Sequence, residues 1–437
     1  MTREGFYWAM HIATGALALP LQQLISVRCS AVTCLPALRR VCCTYFTPTA
    51  MTSTTFTQSS RANIEPTVGS VPWHLAAVVF AATSVLVGLI WDISWHMSIG
   101  RDTFWTPAHM AIYTGGAVSG LVSGFVVLRR SFFASHESQE NSVTVWRIFR
   151  GPLGGWLCIW GAVAMLTSAP FDDWWHNAYG LDVQILSPPH SILGVGFLAI
   201  LLGALVLAAA RQSHLQSSRS GWVVAYTSGL ILTMAAVMTT EYQDRVIMHA
   251  GIFYEVSALV FPLFLLTASS SVKLRWPATV AAGVYTVIMC GQLWVLPLFG
   301  ATPLLGPIRQ AVTHMVPLNF PLLVLLPAFL IDLGMHRTVT RGPWTRAVVA
   351  GVTFMVSFGV LQWFFADFLM TRASHNWFFY SNNLAYMIPA ESFEARGEFV
   401  KESASTLAMA FGISTVIAIV AARFGMMRGR WLRSVQR

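Results

Sequence analysis

Charge is what this chain has least of: Asp, Glu, Lys and Arg are 10% of its 437 residues, while hydrophobic residues are 55%. A water-soluble domain carries roughly 25% charged residues, so an ordinary soluble fold is excluded. Cysteine is scarce as well, six in all. Cys29, Cys34, Cys42 and Cys43 fall near the start, and Cys158 and Cys290 lie within apolar runs, at no spacing that makes a zinc or thiol–disulfide motif. A phosphate-binding glycine loop, an HExxH zinc-protease helix and the clustered histidines of membrane iron hydroxylases are all missing. No segment shows the paired broken-helix symmetry of a secondary transporter.

Long apolar runs are plentiful. Spans of about 20 residues are predicted at 74–96, 109–130, 152–170, 190–210, 221–240, 249–269, 277–298, 316–333, 345–369 and 405–424. Mean hydropathy is +0.60. The expected fold is therefore all-α and polytopic, with about ten transmembrane helices embedded in a lipid bilayer. Residues 1–73 read as a leader, either disordered or lying upstream of a true start at Met51, with a cleaved targeting segment as the alternative. Residues 74–210 read as a four-helix metal-binding bundle, and 211–437 as a six-helix membrane domain with a basic tail.

The net charge of +9 suggests nucleic acid until the cations are placed. Arg129, Arg130, Arg147, Arg150, Arg211, Arg219, Lys273, Arg275, Arg337, Arg341 and Arg346 fall in or at the edges of alternate loops, and Arg423, Arg428, Arg430, Arg433 and Arg437 fall at or beyond the end of the last span. The intervening loops hold Arg101, Arg245, Arg309, Arg372, Arg396 and Lys401 among more acidic residues. This is the positive-inside asymmetry. It predicts cytoplasmic termini and an even number of spans in a cell (plasma or inner) membrane, and makes the basic charge a topology signal with no nucleic-acid partner.

One pattern occurs twice. Asp92-Ile-Ser-Trp-His96 closes with Pro107-Ala-His109, and Asp172-Asp-Trp-Trp-His176 closes with Pro188-Pro-His190. Positions i and i+4 share a helix face, so each Asp–His pair aims a carboxylate and an imidazole at one point. The second His arrives from the start of the next helix, at an angle set by its proline. Ionisable residues at membrane depth are costly, and duplication of order, spacing and proline argues against two unrelated interfacial histidines. Both sets fall at the extracytoplasmic level of the predicted topology. Imidazole and carboxylate donors suit copper, zinc or non-haem iron, and spacing does not choose among them. Asp173 is a neighbouring carboxylate that can orient a ligand, while Arg101 and Asp102 can pair or fix the first loop.

The segment Trp95-His96-x2-Ile99-x-Arg101-Asp102-Thr103-x2-Thr106-Pro107-x-His109, ending in Tyr113, resembles the signature of the C subunit of particulate methane and ammonia monooxygenases, the copper membrane monooxygenases. The resemblance covers about residues 90–200. It implies an intramembrane copper held by Asp92, His96 and His109, and a neighbouring site at His176 and His190. Asp172 stands where that family has Asn. The family subunit is shorter, has fewer spans and works with two other subunit types, so further monooxygenase subunits are implied partners, alone or as an oligomer. The expected function is a copper-dependent monooxygenase component acting on a small apolar substrate with dioxygen. The alternatives are a non-catalytic copper-handling protein and a proton- or cation-coupled transporter using Asp92 and Asp172.

A second polar group, Glu241, Asp244, His249 and His314, falls in the predicted outer loops of the second half. It could extend the site, or it could be solvated loop and interfacial hydrogen bonding.

Overall fold

A computed structural model describes residues 71–100, 103–133, 142–179, 187–215 and 218–435. The leader up to residue 70, Arg101 and Asp102 lie outside the described residues. Helices α1 (Trp73–Ser98) and α2 (Pro107–Phe133) form one hairpin, and α3 (Leu153–Tyr179) and α4 (Pro188–Leu215) a second. There follow α5 (Ser218–Met238), α6 (Gly251–Ser271), α7 (Pro277–Val295), α8 (Leu325–Arg337), α9 (Pro343–Leu369) and α10 (Ala404–Ser434). Two three-residue strands, Val143–Val145 and Phe149–Gly151, pair antiparallel between α2 and α3. Among the described residues, nine helices are long and apolar enough to cross a membrane. The protein is an all-α, multi-pass membrane protein.

The predicted span at 316–333 takes a different form. Only α8, 13 residues long, is helical there, a rise of about 20 Å against the roughly 30 Å of a hydrocarbon core. The preceding residues 316–324 are non-helical and largely buried. Pro317 and Pro321 explain the break, because each lacks an N–H and biases the residue before it away from helix. Unpaired peptide groups at membrane depth cost several kcal/mol each, and here side chains of other helices satisfy them. Gln292 of α7 accepts from Leu318 N and donates to its carbonyl, at 3.0 and 3.1 Å. The Tyr285 hydroxyl accepts from Leu322 N at 2.9 Å, and Gln362 Oε1 of α9 from Leu323 N at 3.1 Å. From α1, Ser98 Oγ accepts from Val316 N at 2.7 Å and Ser94 Oγ donates to its carbonyl at 2.6 Å. Asp332 anchors α8 in turn, accepting from Ala278 N, Thr279 N and the Thr279 hydroxyl at the start of α7.

Between membrane helices, lipid offers no hydrophobic drive to association, so small residues that admit close backbones do the packing. In the second hairpin a Cβ at Gly154 would stand 2.5 Å from the Gly203 carbonyl, and one at Gly161 would stand 2.8 Å from that of Gly196. Bare backbones therefore meet at two points seven residues apart on each helix, which fixes the register that brings the end of α3 beside the start of α4. One apolar core runs from Leu75 in α1 to Val435, so the helices before residue 210, which carry the Asp/His/His sets, and the helices after it share an interior.

Strict alternation of the helices puts the described carboxylates at one end, with the single exception of Asp332. That end carries both Asp/His/His sets. The opposite end collects Arg129, Arg130, Arg147, Arg211, Arg275, Arg341 and the cations of the last turns of α10. Contacts such as Ser213 with the Val435 carbonyl and His336 with the Arg275 carbonyl hold that end together.

Candidate metal centre

Each set is built by the same local device. In α1, Asp92 and His96 are one turn apart, with Oδ2 to Nε2 at 3.8 Å. In α3 the equivalent pair, Asp172 and His176, is at 3.4 Å. The second His comes from the first turn of the next helix. Thr106 precedes Pro107, and its hydroxyl accepts from His109 N at 3.3 Å; Ser187 precedes Pro188, and its hydroxyl accepts from His190 N at 3.4 Å. Both are N-cap bonds to the third helical residue, with Pro at the first helical position, where its missing N–H costs nothing. Cap, proline and histidine thus share one helical turn. The capping role of Thr106 and Ser187, both buried, is missing from the sequence reading, although a Ser or Thr directly before Pro is the available signal.

The histidines then meet the aspartates across each hairpin. His109 Nε2 lies 3.2 Å from Asp92 Oδ1, and His190 Nε2 lies 3.3 Å from Asp172 Oδ1. Both oxygens are buried, and neither receives a hydrogen bond of acceptable alignment in spite of that proximity. On the far side of His109, Nδ1 is 3.0 Å from the Thr103 carbonyl. A carbonyl only accepts, so Nδ1 carries the hydrogen and Nε2 is the nitrogen that faces Asp92. An imidazole nitrogen and a carboxylate oxygen at that distance are bridged by a cation, a metal ion or a proton. Bonding of the distal imidazole nitrogen to a carbonyl is also how metal-ligating histidines are commonly oriented.

The second set closes further than the first. One donor atom each from Asp172, His176 and His190 lies within 4.8 Å of the others, and this is the one such trio of His, Cys, Asp or Glu among the described residues. Donors about 2.0–2.2 Å from a metal stand roughly 3–3.5 Å from one another, so two of the three edges already have ligand spacing. The carboxylate supplies one negative charge and the imidazoles two neutral nitrogens, a donor set that copper(II), zinc and iron(II) all accept. Its side chains are 20–30% exposed. In the first set His96 is 41% exposed while Asp92 and His109 are below 20%.

Aromatic rings surround both. Tyr113 lies 5.9 Å from His109 and packs on Phe104. Phe171, Trp174, Trp175 and Tyr179 form a chain of ring contacts along the end of α3. Asp173 points elsewhere, being exposed and held by Asn177, whose amide donates to the Asp173 carbonyl at 2.8 Å.

The second-half polar residues have local partners of their own. Asp244 caps a short 3₁₀ turn by accepting from Val246 N, and its other oxygen accepts from Asn319. Beside it Arg245 is buried, which lowers the affinity of its guanidinium for a proton, with Asp244 and Glu394 pulling the other way. His249 is sandwiched between Trp363 and Phe399, with ring centroids at 3.9 and 4.0 Å, and its Nε2 faces the Trp363 carbonyl and Asp367. His314 is exposed and bonds Thr313, and Glu241 is exposed. Together they form no ligand trio among the described residues.

The chain matches no family model, no curated protein and no solved structure.

Proposed function

We propose that the protein is a membrane metalloprotein whose two Asp/His/His sets hold transition metal, and that it works as a copper-dependent monooxygenase component on a small apolar substrate. The observation that carries metal binding is the paired geometry: in each set, a buried carboxylate oxygen stands 3.2–3.3 Å from an imidazole Nε2 without an aligned hydrogen bond. The choice of copper and of oxygen chemistry is supported by the resemblance of about residues 90–200. Copper, when bound, would supply dioxygen activation. The chain's own residues have the following parts. The four imidazoles provide neutral nitrogen donors; Asp92 and Asp172 offset the ion's charge; Thr103, through its carbonyl, holds the His109 tautomer; and Phe104, Tyr113 and Trp175 keep the neighbourhood apolar, as a hydrocarbon substrate requires. We further propose that the site end faces away from the cytoplasm, which the collection of Lys and Arg at the opposite end supports.

The ion-coupled alternative gains little from the broken span. In transporters, unwound backbone lines an ion site, whereas here the peptide groups of Val316, Leu318, Leu322 and Leu323 are occupied by side chains.

The test is metal analysis and oxygen uptake on membranes containing the copper-loaded chain, given a reductant and a short alkane, alone and with candidate partner subunits. Bound copper with alkane-dependent oxygen uptake and an alcohol product, both lost in His176→Ala, is the expected result. Bound copper without product in any combination would leave a metal-handling protein, and metal-free protein would end the reading. Cysteine labelling from outside the cell should reach Arg309→Cys and miss Arg341→Cys; the reverse would invert the orientation.

A further inference from the structure

The helix that carries Asp92 and His96 is gripped on its other side by the second half of the chain. Residues 92 and 96 lie on one face of α1. Residues 94 and 98 are two positions removed, about 200° around the helix, and so lie opposite. Ser94 and Ser98 are both fully buried. Their hydroxyls hold the two peptide groups of Val316, Ser94 Oγ donating to the carbonyl at 2.6 Å and Ser98 Oγ accepting from the amide at 2.7 Å. The Ser98 hydroxyl hydrogen goes to the Ser94 carbonyl at 2.6 Å, so donors and acceptors are all used. Val316 begins the non-helical stretch 316–324, whose far end is tied to α7 and α9 through Tyr285 and Gln362.

The end of the same helix is held too. Its terminal carbonyls would otherwise lack partners, and Met97 O accepts from Tyr386 N at 3.1 Å while Ile99 O accepts from Leu304 N at 2.8 Å. A bare α-carbon is required at Gly100, with φ +83°, where a Cβ would overlap the Tyr386 phenol.

We infer that the non-helical stretch 316–324 is a strap that sets the rotation of α1, and that Ser94 and Ser98 are positioning residues for the first metal set. This rests on the proposed metal-binding reading. A helix that turns about its axis carries Asp92 and His96 away from His109, which sits on a different helix and does not follow. The second set has no share in these bonds, since its ligands come from α3 and α4. Ser98 therefore acts on one set and not on the other, a selectivity that a general loss of stability does not produce.

The experiment measures zinc(II) affinity of the full-length protein in lipid nanodiscs, one set at a time. His176→Ala isolates the first set and His109→Ala the second. Ser98→Ala, and separately Ser94→Ala, which leaves the strap amide bonded and so perturbs the fold least, is added to each. Partners that orient ligands typically change metal affinity 10–100-fold. The expected result is a loss of about tenfold or more at the first set and no change at the second. Tyr285→Phe removes one equally buried bond at the distant end of the strap and should lower thermal stability while sparing first-set affinity. Unchanged first-set affinity in both serine variants, or equal losses at the two sets, overturns the inference while leaving the metal reading intact. A His176→Ala parent that binds no zinc overturns both.

Discussion

The two Asp/His/His sets use one local plan and reach different degrees of closure. Both have the i,i+4 pair, the capped proline turn and a carboxylate oxygen within 3.3 Å of the second imidazole. Yet only the second set brings all three donors within 4.8 Å. In the first, His96 stays 3.8 Å from Asp92 and 41% exposed. The surroundings differ. Both hairpins touch backbone to backbone at glycines, at Gly154, Gly161, Gly196 and Gly203 in the second and at Gly88 and Gly115 in the first. At its ligand end, α1 is also held by the loops of Leu304 and Tyr386 and by the strap that begins at Val316. Local sequence places ligands on a face, and tertiary packing decides whether they converge.

The largest effect should come from removing a donor of the closed set. His190→Ala or His176→Ala should lower second-set affinity by on the order of 100-fold or more, beyond the range typical for an orienting partner, read by competition with a metal chelator. Equal affinity would mean that the trio is an ordinary hydrogen-bonded cluster and that the contrast between the sets has no chemical content.

Next comes the asymmetry within the first set. His109→Ala should cost markedly more affinity than His96→Ala, because His109 is closer to the carboxylate, more buried and fixed by Thr103. Equal losses would show that metal pulls His96 inward and that the open geometry does not persist once the site is loaded.

Asp172→Asn addresses charge in place of geometry. It leaves the size of the side chain and removes its negative charge, so the second set should bind metal more weakly at neutral pH. The direction with pH follows from competition: protons displace metal from imidazole nitrogen and carboxylate oxygen, so occupancy falls as pH is lowered, and the fall should be shallower in the Asn variant. Superimposable titrations would remove Asp172 from the ligands.

The smallest effects belong to the caps. Thr106→Ala and Ser187→Ala each remove one N-cap bond, worth about 1 kcal/mol of helix stability. Each should lower the melting temperature slightly and shift affinity only at its own set, seen by site-resolved binding. A shift at the other set would contradict the independence of the two hairpins.

Much of this was legible in the residues, and the limits have physical causes. Hydropathy marks the spans because burial in lipid is paid for by composition alone. The ligand pairs are visible because i,i+4 spacing and Ser/Thr-Pro-x-His are local rules. Residues 316–333 look like any other apolar span; that Pro317 and Pro321 unwind the first half depends on Gln292, Tyr285, Gln362, Ser94 and Ser98, scattered over three other helices. The same scatter hid the strap's grip on α1. The difference in closure between the two sets was invisible for a related reason, since the first set's helix end is held by residues distant in sequence, Leu304, Val316 and Tyr386. Asp173, adjacent to Asp172 in sequence, is exposed and its carboxylate accepts from Asn177, because neighbouring helix positions are about 100° apart.

The most direct test of the account is the metal content of the purified full-length protein beside Asp92→Asn, Asp172→Asn and the double variant. The account predicts copper or another transition metal in the parent, a partial loss in each single variant, larger for Asp172→Asn at limiting metal, and near-complete loss in the double. Equal metal content in all four proteins, with folding intact, would contradict it.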